Sequence, residues 1–184
     1  SSVDDRTGRA RVRDAALELF AERGEDAVTM RQIAERAEVS PALVVHHFGS
    51  KAGLREAVVE HVRAWMDELF DLSTDTDLAE DVQAAEWSSI GEMLQQALPE
   101  GSPIVPYLRR LLISGDPLAT ELLTAWHRRT VEVFRVWDAA GKLRAGPDPE
   151  MRAALAMSSD LGTLFLADHW RQILGVDPLR DTAW

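Results

Sequence analysis

Four arginines near the N-terminus are the first side chains in this 184-residue chain that suit binding chemistry. Arg6, Arg9, Arg11 and Arg13 lie within residues 6–13, a segment that contains no acidic residue. Guanidinium groups bind phosphate through paired hydrogen bonds, so such a cluster suits the backbone of a nucleic acid. Taken alone, the cluster is best interpreted as a solvated surface segment. Next to a DNA-binding fold, the same cluster is better interpreted as a DNA contact.

The residues that enzymes use for catalysis do not form a recognisable pattern. The chain has no cysteine, no glycine-rich phosphate loop, no His-Glu-x-x-His and no Gly-x-Ser-x-Gly. The neighbours His46 and His47 do not suit a metal pair, because consecutive side chains on a helix point apart. Glu60 and His61 likewise lack partners at a useful spacing. We therefore expect no enzyme activity, no metal and no cofactor.

Acidic residues are concentrated away from the N-terminal quarter. The net charge of −11 divides into −1 over residues 1–51 and −10 over residues 52–184, which suggests that the two parts face different partners. No segment contains about 18 uninterrupted apolar residues, and the first residues contain no apolar signal core. These features predict a cytoplasmic protein that does not cross a membrane.

The spacing of apolar residues predicts an all-α protein. Leu54, Val58, Val62 and Trp65 follow one helical face, and the long stretches 42–98, 118–146 and 150–177 contain no proline. The predicted helices cover residues 7–23, 29–37, 41–47, 51–72, 77–98, 103–114, 117–141 and 149–174.

Three short helices with strong end signals open the chain. Gly24 suits the C-terminus of the first helix, and Thr29 with Gln32 suits a capping box at the start of the second. Ser40 and Pro41 then suit an N-cap followed by the first residue of the third helix. Two short helices joined by a tight turn and braced by a first helix predict a helix-turn-helix over residues 29–48.

Residues 12–59 resemble the N-terminal domain of the TetR (tetracycline-repressor-like) family of bacterial transcriptional regulators. The resemblance lies in an ordered set of motifs: Ala15-Ala16-x-x-Leu19-Phe20, Gly24, Thr29-Met30-x-x-Ile33-Ala34, Ala37-x-Val39-Ser40 and His46-His47-Phe48-x-Ser50-Lys51-x-x-Leu54. It implies a three-helix DNA-binding head over residues 7–67, joined by a long helix to an all-helical dimerisation and ligand-binding domain over residues 68–184.

The resemblance also implies roles for individual residues. Thr29 and Lys51 match positions that bind DNA phosphates, and His47 matches an aromatic residue that contacts the backbone. The residues that match the base-reading face of the third helix are Pro41, Ala42, Leu43, Val45 and His46.

Three residues depart from the family pattern. Glu38 stands where the family usually has a glycine in the turn, a place that favours positive φ. Leu43 replaces a usual hydroxyl residue, and Val45 replaces a usual tyrosine. Apolar side chains suit thymine methyl groups better than hydrogen-bonded base edges, so we expect modest direct readout. Arg6, Arg9 and Arg11 would then contribute more, at phosphates or in the minor groove.

The helix predicted over residues 149–174 has apolar or small residues on nearly every face, so more than one side of it must be covered. We expect a homodimer contact there, with helix 117–141 as its neighbour, although a central core helix of a monomer would have the same pattern. The predicted contact residues are Ala154, Met157, Ser158, Leu161, Gly162 and Phe165.

Aromatic and apolar side chains beyond residue 80 could line a ligand pocket, although such a stripe is more often core. The candidate pocket residues are Trp87, Met93, Tyr107, Leu111, Trp126, Phe134 and Phe165. Together these features predict a homodimeric repressor that leaves a palindromic DNA operator when it binds a small molecule. The alternative is a helical ligand-binding or scaffold protein whose head no longer binds DNA.

Overall fold

The computed structural model describes residues 2–74, 101–141 and 148–175, all of whose regular elements are α-helices. Their bounds lie close to those predicted, except that the first helix starts five residues earlier. The helix predicted over residues 77–98 lies outside the described residues. The helices are α1 (Ser2–Arg23), α2 (Met30–Arg36), α3 (Pro41–Phe48), α4 (Lys51–Thr74), α5 (Ile104–Ile113), α6 (Pro117–Ala139) and α7 (Pro149–Leu174).

The described helices form two compact units, and the boundary between these units falls within α4. The first unit contains α1, α2, α3, α4 as far as Ala64, α5 and the start of α6 as far as Ala119. The second contains α4 from Trp65, α6 from Thr120, and α7. None of the described helices is long and apolar enough to cross a membrane.

The predicted caps define where α2 and α3 begin. The Thr29 hydroxyl accepts the Gln32 backbone N–H, and the Gln32 side chain accepts the Thr29 backbone N–H at 2.8 Å, which completes a capping box. The Ser40 hydroxyl accepts the Leu43 N–H at 3.2 Å, and Pro41 is the first residue of α3. The capping box and the Ser-Pro helix start are therefore confirmed.

The core of the first unit is built from large apolar side chains that the surrounding helices cover completely. Phe20 from α1, Ile33 from α2 and Val44 from α3 are all almost fully buried. Complete burial of a side chain of this size stabilises the fold by about 1.5–3 kcal/mol. The other buried side chains of α1 to α4 up to residue 62 are Val12, Ala15, Ala16, Leu17, Leu19, Ala21, Val28, Ala34, Ala37, Phe48, Leu54, Val58, Val59 and Val62.

Helix α5 packs against α1, although its sequence lies about 80 residues later in the chain. Tyr107 stacks on Phe20 with 6.5 Å between ring centroids. Arg110 donates from Nε to the Ala21 carbonyl at 2.9 Å and from Nη2 to the Glu22 carbonyl at 3.0 Å. These carbonyls belong to the last turn of α1, where no backbone donor follows and positive charge is favourable. Helix α5 therefore caps α1.

In the second unit, α6 and α7 each bury large apolar side chains. Trp126 and Phe134 are buried on α6, and Met157 and Leu164 are buried on α7. Two polar contacts link α6 to other helices of this unit. His127 Nε2 donates to the Glu150 carbonyl of α7 at 2.8 Å, and Arg129 pairs with Asp71 of α4.

Two helical glycines should respond oppositely to replacement by alanine. A Cβ on Gly53 would collide with the Phe48 carbonyl oxygen, whereas a Cβ on Gly8 would meet Leu43 and His47 at an ordinary 3.6 Å. We expect Gly53→Ala to lower the free energy of unfolding by about 1–3 kcal/mol. Gly8→Ala should raise it by about 0.5–1 kcal/mol, because alanine has less freedom to lose in a helix. Urea denaturation of both variants measures these changes. Equal stability of the two variants would contradict the described junction between α3 and α4.

Candidate nucleic-acid interface

The exposed side of α3 carries most of the residues predicted to read bases. Val44 and Phe48 are buried and fix the helix to the rest of the unit. Val45 has 52% of its surface exposed. The other exposed residues on this side are Pro41, Ala42 and His46.

Leu43 and His47 are half-buried because the start of α1 lies beside them. The Leu43 Cδ2 and His47 Nε2 atoms stand 3.6 Å from the position of a Cβ on Gly8. Each side chain therefore packs against α1, and its contact with DNA stays a prediction. Sequence reasoning assigned the contact role alone.

Thr29 is exposed at the start of α2, but its polar groups already have partners. The Thr29 hydroxyl donates to Gln32 Oε1 at 3.0 Å, and the Thr29 N–H bonds to the same oxygen at 2.8 Å. A phosphate that binds these groups must replace the Gln32 amide oxygen. The exchange substitutes one acceptor for another, and the charged one gives the stronger hydrogen bond.

Lys51 is the first residue of α4 and is half-buried. The N-terminus of a helix carries a partial positive charge, so a lysine there is unfavourable until an anion binds nearby. Ser50 precedes it and accepts the Gly53 N–H at 3.1 Å, which satisfies one donor of the first turn. This end of α4 therefore has the charge that a phosphate requires.

The basic cluster at the start of α1 makes internal contacts that the sequence did not predict. The Arg9 guanidinium lies over the Phe48 ring, 5.1 Å from its centroid. Arg11 Nη2 donates to the Ala37 carbonyl at 2.6 Å, and Arg13 pairs with Asp14 at 2.7 Å. Arg6 lies on α1 as well. DNA contact by Arg6 and Arg9 stays a prediction, and Arg9 remains exposed enough to make it.

A half-buried ion-pair cluster holds α4 to the loop after α1 and to the residues before α6. Arg55 of α4 forms two ion pairs, one from Nε to Glu25 at 2.7 Å and one from Nη2 to Asp116. The Tyr107 hydroxyl donates to the other Glu25 oxygen at 3.4 Å. Sequence reasoning missed this cluster, because its members lie up to 91 positions apart and follow no local pattern.

Burial and charge act in opposite directions on the two carboxyls of this cluster. Burial raises the pKa of Glu25 even though Arg55 lies beside it. The hydrogen bond from Arg55 lowers the pKa of Asp116. Burial also raises the pKa of the Tyr107 hydroxyl, so this group stays a donor to Glu25.

The combination of helix-turn-helix, exposed α3 and supporting α5 occurs in known proteins. A sequence profile of the family described as "Bacterial regulatory proteins, tetR family" matches residues 12–58. The HTH-type transcriptional regulatory protein RaaS of Mycobacterium tuberculosis is 36% identical over 171 residues, 90% of this chain and 74% of RaaS. The chain belongs to the TetR family. It is a DNA-binding transcriptional regulator, not an enzyme.

Two further proteins extend the similarity of this TetR-family chain to almost its whole length. The HTH-type transcriptional repressor Rv3405c of M. tuberculosis is 30% identical over 181 residues, 94% of this chain and 82% of the repressor. SmeT of Stenotrophomonas maltophilia, solved with triclosan, superposes with a TM-score of 0.67 at 25% identity. That match covers 95% of this chain and 85% of SmeT. The all-α fold predicted from the sequence is confirmed.

The candidate pocket residues of this TetR-family regulator are divided between the two units. Tyr107 and Leu111 are buried in the first unit, and Trp126, Phe134 and Phe165 lie in the second. Trp87 and Met93 lie outside the described residues. Trp126 is only 2% exposed, and its indole Nε1 has no hydrogen-bond partner among the residues that the structure describes. A buried donor of this kind usually has one.

The predicted dimer-contact residues of the TetR-family chain lie along one flank of α7. Met157 is buried within the chain itself and Ser158 is exposed; the half-buried ones are Ala154, Leu161, Gly162 and Phe165. Their part in dimer formation stays a prediction.

Replacement of Arg55 by alanine should destabilise the first unit. The change leaves the half-buried carboxylates of Glu25 and Asp116 without their shared cation, which should cost about 1–3 kcal/mol of unfolding free energy. Arg63→Ala is the control, because Arg63 pairs with Glu60 on the exposed side of the same helix and should cost less than about 0.5 kcal/mol.

The loss in Arg55→Ala should shrink as the pH falls. At acidic pH Glu25, whose pKa is raised, takes up its proton first and no longer needs a cation. At still lower pH the native protein loses the contribution of Asp116, whose pKa is lowered. Urea denaturation at neutral and acidic pH measures both effects, and an equal loss at both would show that Arg55 acts by packing alone.

Proposed function

We propose that this TetR-family regulator is a homodimeric repressor that binds an inverted-repeat operator and leaves it when a small molecule binds. The observation that carries the proposal is the exposed apolar side of α3, directed by a buried opposite side. A helix of eight residues held in this way suits insertion into the major groove. The repressor activity rests on the name of Rv3405c, to which the chain is 30% identical.

In the proposed complex, α3 reads bases and the helix ends bind phosphates. Ala42 and Val45 present methyl groups, which match thymine methyl groups in the major groove. His46 adds a polar group on the same exposed side. Thr29 and Lys51, at the starts of α2 and α4, bind phosphates and fix the position of α3.

The proposed dimer forms through the outer face of α7. Exposed residues recur there at helical spacing, on the side opposite the buried Ala153, Met157 and Leu164. Leu155 is 65% exposed, an unfavourable state for an isolated leucine in water. Ser158 and Gly162 lie on this face and permit close approach of a second helix. The exposed apolar residues of α7 are Met151, Leu155, Leu166, Trp170, Ile173 and Leu174.

A ligand in the second unit would act on DNA binding through α4, which continues from one unit into the other. The solved complex of SmeT with triclosan supports a small-molecule ligand for this chain. The Nε1 donor of Trp126, which has no partner within residues 2–74, 101–141 and 148–175, supports a ligand that carries a hydrogen-bond acceptor. Release from DNA requires that the ligand bind the two states with different affinity.

Replacement of Lys51 and Val45 by alanine should affect DNA binding in different ways. Lys51→Ala should weaken binding to all duplexes by about tenfold and reduce the slope of log K against log salt by about 0.9, the contribution of one phosphate. Val45→Ala should instead weaken the preference for thymine at one position of each half-site. Titration at several salt concentrations and sequencing of duplexes bound from a random pool measure the two effects. A changed base preference in Lys51→Ala, with an unchanged slope, would contradict the assignment.

A charged residue on the outer face of α7 should disrupt the dimer. Leu155→Lys places a cation in the proposed interface, and we expect the dimer dissociation constant to rise by at least about tenfold, because a buried unpaired charge costs more than 1.4 kcal/mol. Ile113→Lys is the control, since Ile113 is 76% exposed in the first unit. Sedimentation velocity measures both. A monomeric native protein, or equal dissociation in the two variants, would exclude this interface.

A further inference from the structure

The turn between α2 and α3 has the backbone geometry that glycine favours, but it holds a glutamate. The Val39 N–H bonds to the Ala34 carbonyl at 3.0 Å, and the Glu38 N–H bonds to the Glu35 carbonyl at 3.2 Å. This pattern ends a helix with one left-handed residue, usually glycine. Here that residue is Glu38 with φ 54°, the one non-glycine with positive φ among the described residues. A side chain in this conformation strains the backbone.

Arg11 reaches this turn from α1 and binds its backbone. The Arg11 Nη2 donates to the Ala37 carbonyl at 2.6 Å and to the Glu38 carboxylate at 3.3 Å. The Ala37 carbonyl lies at the negative end of α2, where a cation is favourable and a charged donor bonds strongly. The ion pair itself contributes little, because the side chains of Arg11 and Glu38 are 47% and 86% exposed. The hydrogen bond from Arg11 to the Ala37 carbonyl is therefore stronger than the ion pair between Arg11 and Glu38.

We propose that Arg11 is a positioning residue that holds the α2–α3 turn in its left-handed conformation and so sets the direction of α3. In this account the contact from α1 compensates for the missing glycine, and Arg11 does not bind a phosphate. The inference rests on the proposed role of α3 in DNA binding. It replaces the expectation that Arg11 contacts DNA directly.

Arg11 could support the turn or bind a DNA phosphate, and these two roles predict different effects when Glu38→Gly is added to Arg11→Ala. If Arg11 supports the strained turn, a glycine at position 38 removes the strain and restores what Arg11→Ala has lost. If Arg11 binds a phosphate, glycine at position 38 restores nothing, because the phosphate still lacks its cation. The test therefore compares Arg11→Ala, Glu38→Gly and the double variant with the native protein.

The first measurement is thermal unfolding without DNA. Arg11→Ala should lower the midpoint by about 2–4 °C, and Glu38→Gly should raise it by a similar amount. The double variant should unfold within about 1 °C of Glu38→Gly. With glycine at position 38 the turn is not strained, so the loss of the Arg11 contact lowers its stability little. Glu38→Ala removes the carboxylate but keeps the strain, so it should not rescue Arg11→Ala. Arg13→Ala is the control for the loss of one positive charge from α1. Arg13 pairs with the adjacent Asp14 and not with the turn. Additive midpoints would overturn the inference.

The second measurement is duplex affinity as a function of salt concentration. Arg11→Ala should weaken binding by about fivefold or more without changing the salt slope, and the double variant should recover to within about twofold of the native protein. A double variant as weak as Arg11→Ala, with a slope smaller by about 0.9, would identify Arg11 as a phosphate ligand. Thermal coupling without any duplex binding by the native protein would support the turn contact and overturn the proposed function, so the two failures are distinguishable.

Discussion

The attachment of α3 to α1 is the interaction on which the DNA-binding surface depends. A helix of eight residues is not stable alone, so its direction is set by what it packs against. Val44 and Phe48 bury one side of α3, and the Arg9 guanidinium covers the Phe48 ring. Arg11 holds the preceding turn from the same helix. Helix α1, together with α2, on which α3 also packs, thus fixes the position and direction of α3 and so determines which side of α3 is exposed.

Helix α1 is in turn held at its other end by a distant part of the chain. Arg110 caps the last carbonyls of α1, and Tyr107 stacks on Phe20. Arg55 joins the loop after α1 to α4 and to the residues before α6 through Glu25 and Asp116. In the first unit, two basic side chains, Arg55 and Arg110, therefore connect elements that lie far apart in sequence. A change in α5 acts on α3 through these contacts and the apolar core, and a change in α4 acts also through the direct junction between α3 and α4.

Local signals in the sequence were sufficient for the helices and for both caps of the helix-turn-helix. Thr29 with Gln32 and Ser40 with Pro41 act over three or four residues, and such short-range patterns can be recognised without a structure. The left-handed Glu38 was also predicted, because the resemblance placed a glycine there. The packing of α5 on α1 and the Arg55 cluster were not predictable, since both join residues about 80 or more positions apart. The internal role of Arg11 follows from the same kind of long-range contact.

The central claim is that two copies of α3, each fixed by its own α1, read two half-sites of one operator. Selection from random duplex DNA at physiological salt, followed by sequencing of the bound fraction, tests this claim most directly. The account predicts enrichment of an inverted repeat with thymines in both half-sites, at a spacing near one helical turn or a multiple of it. Enrichment of a single unrepeated site would contradict the paired arrangement. No enrichment, from protein that is folded and dimeric, would contradict DNA reading by α3.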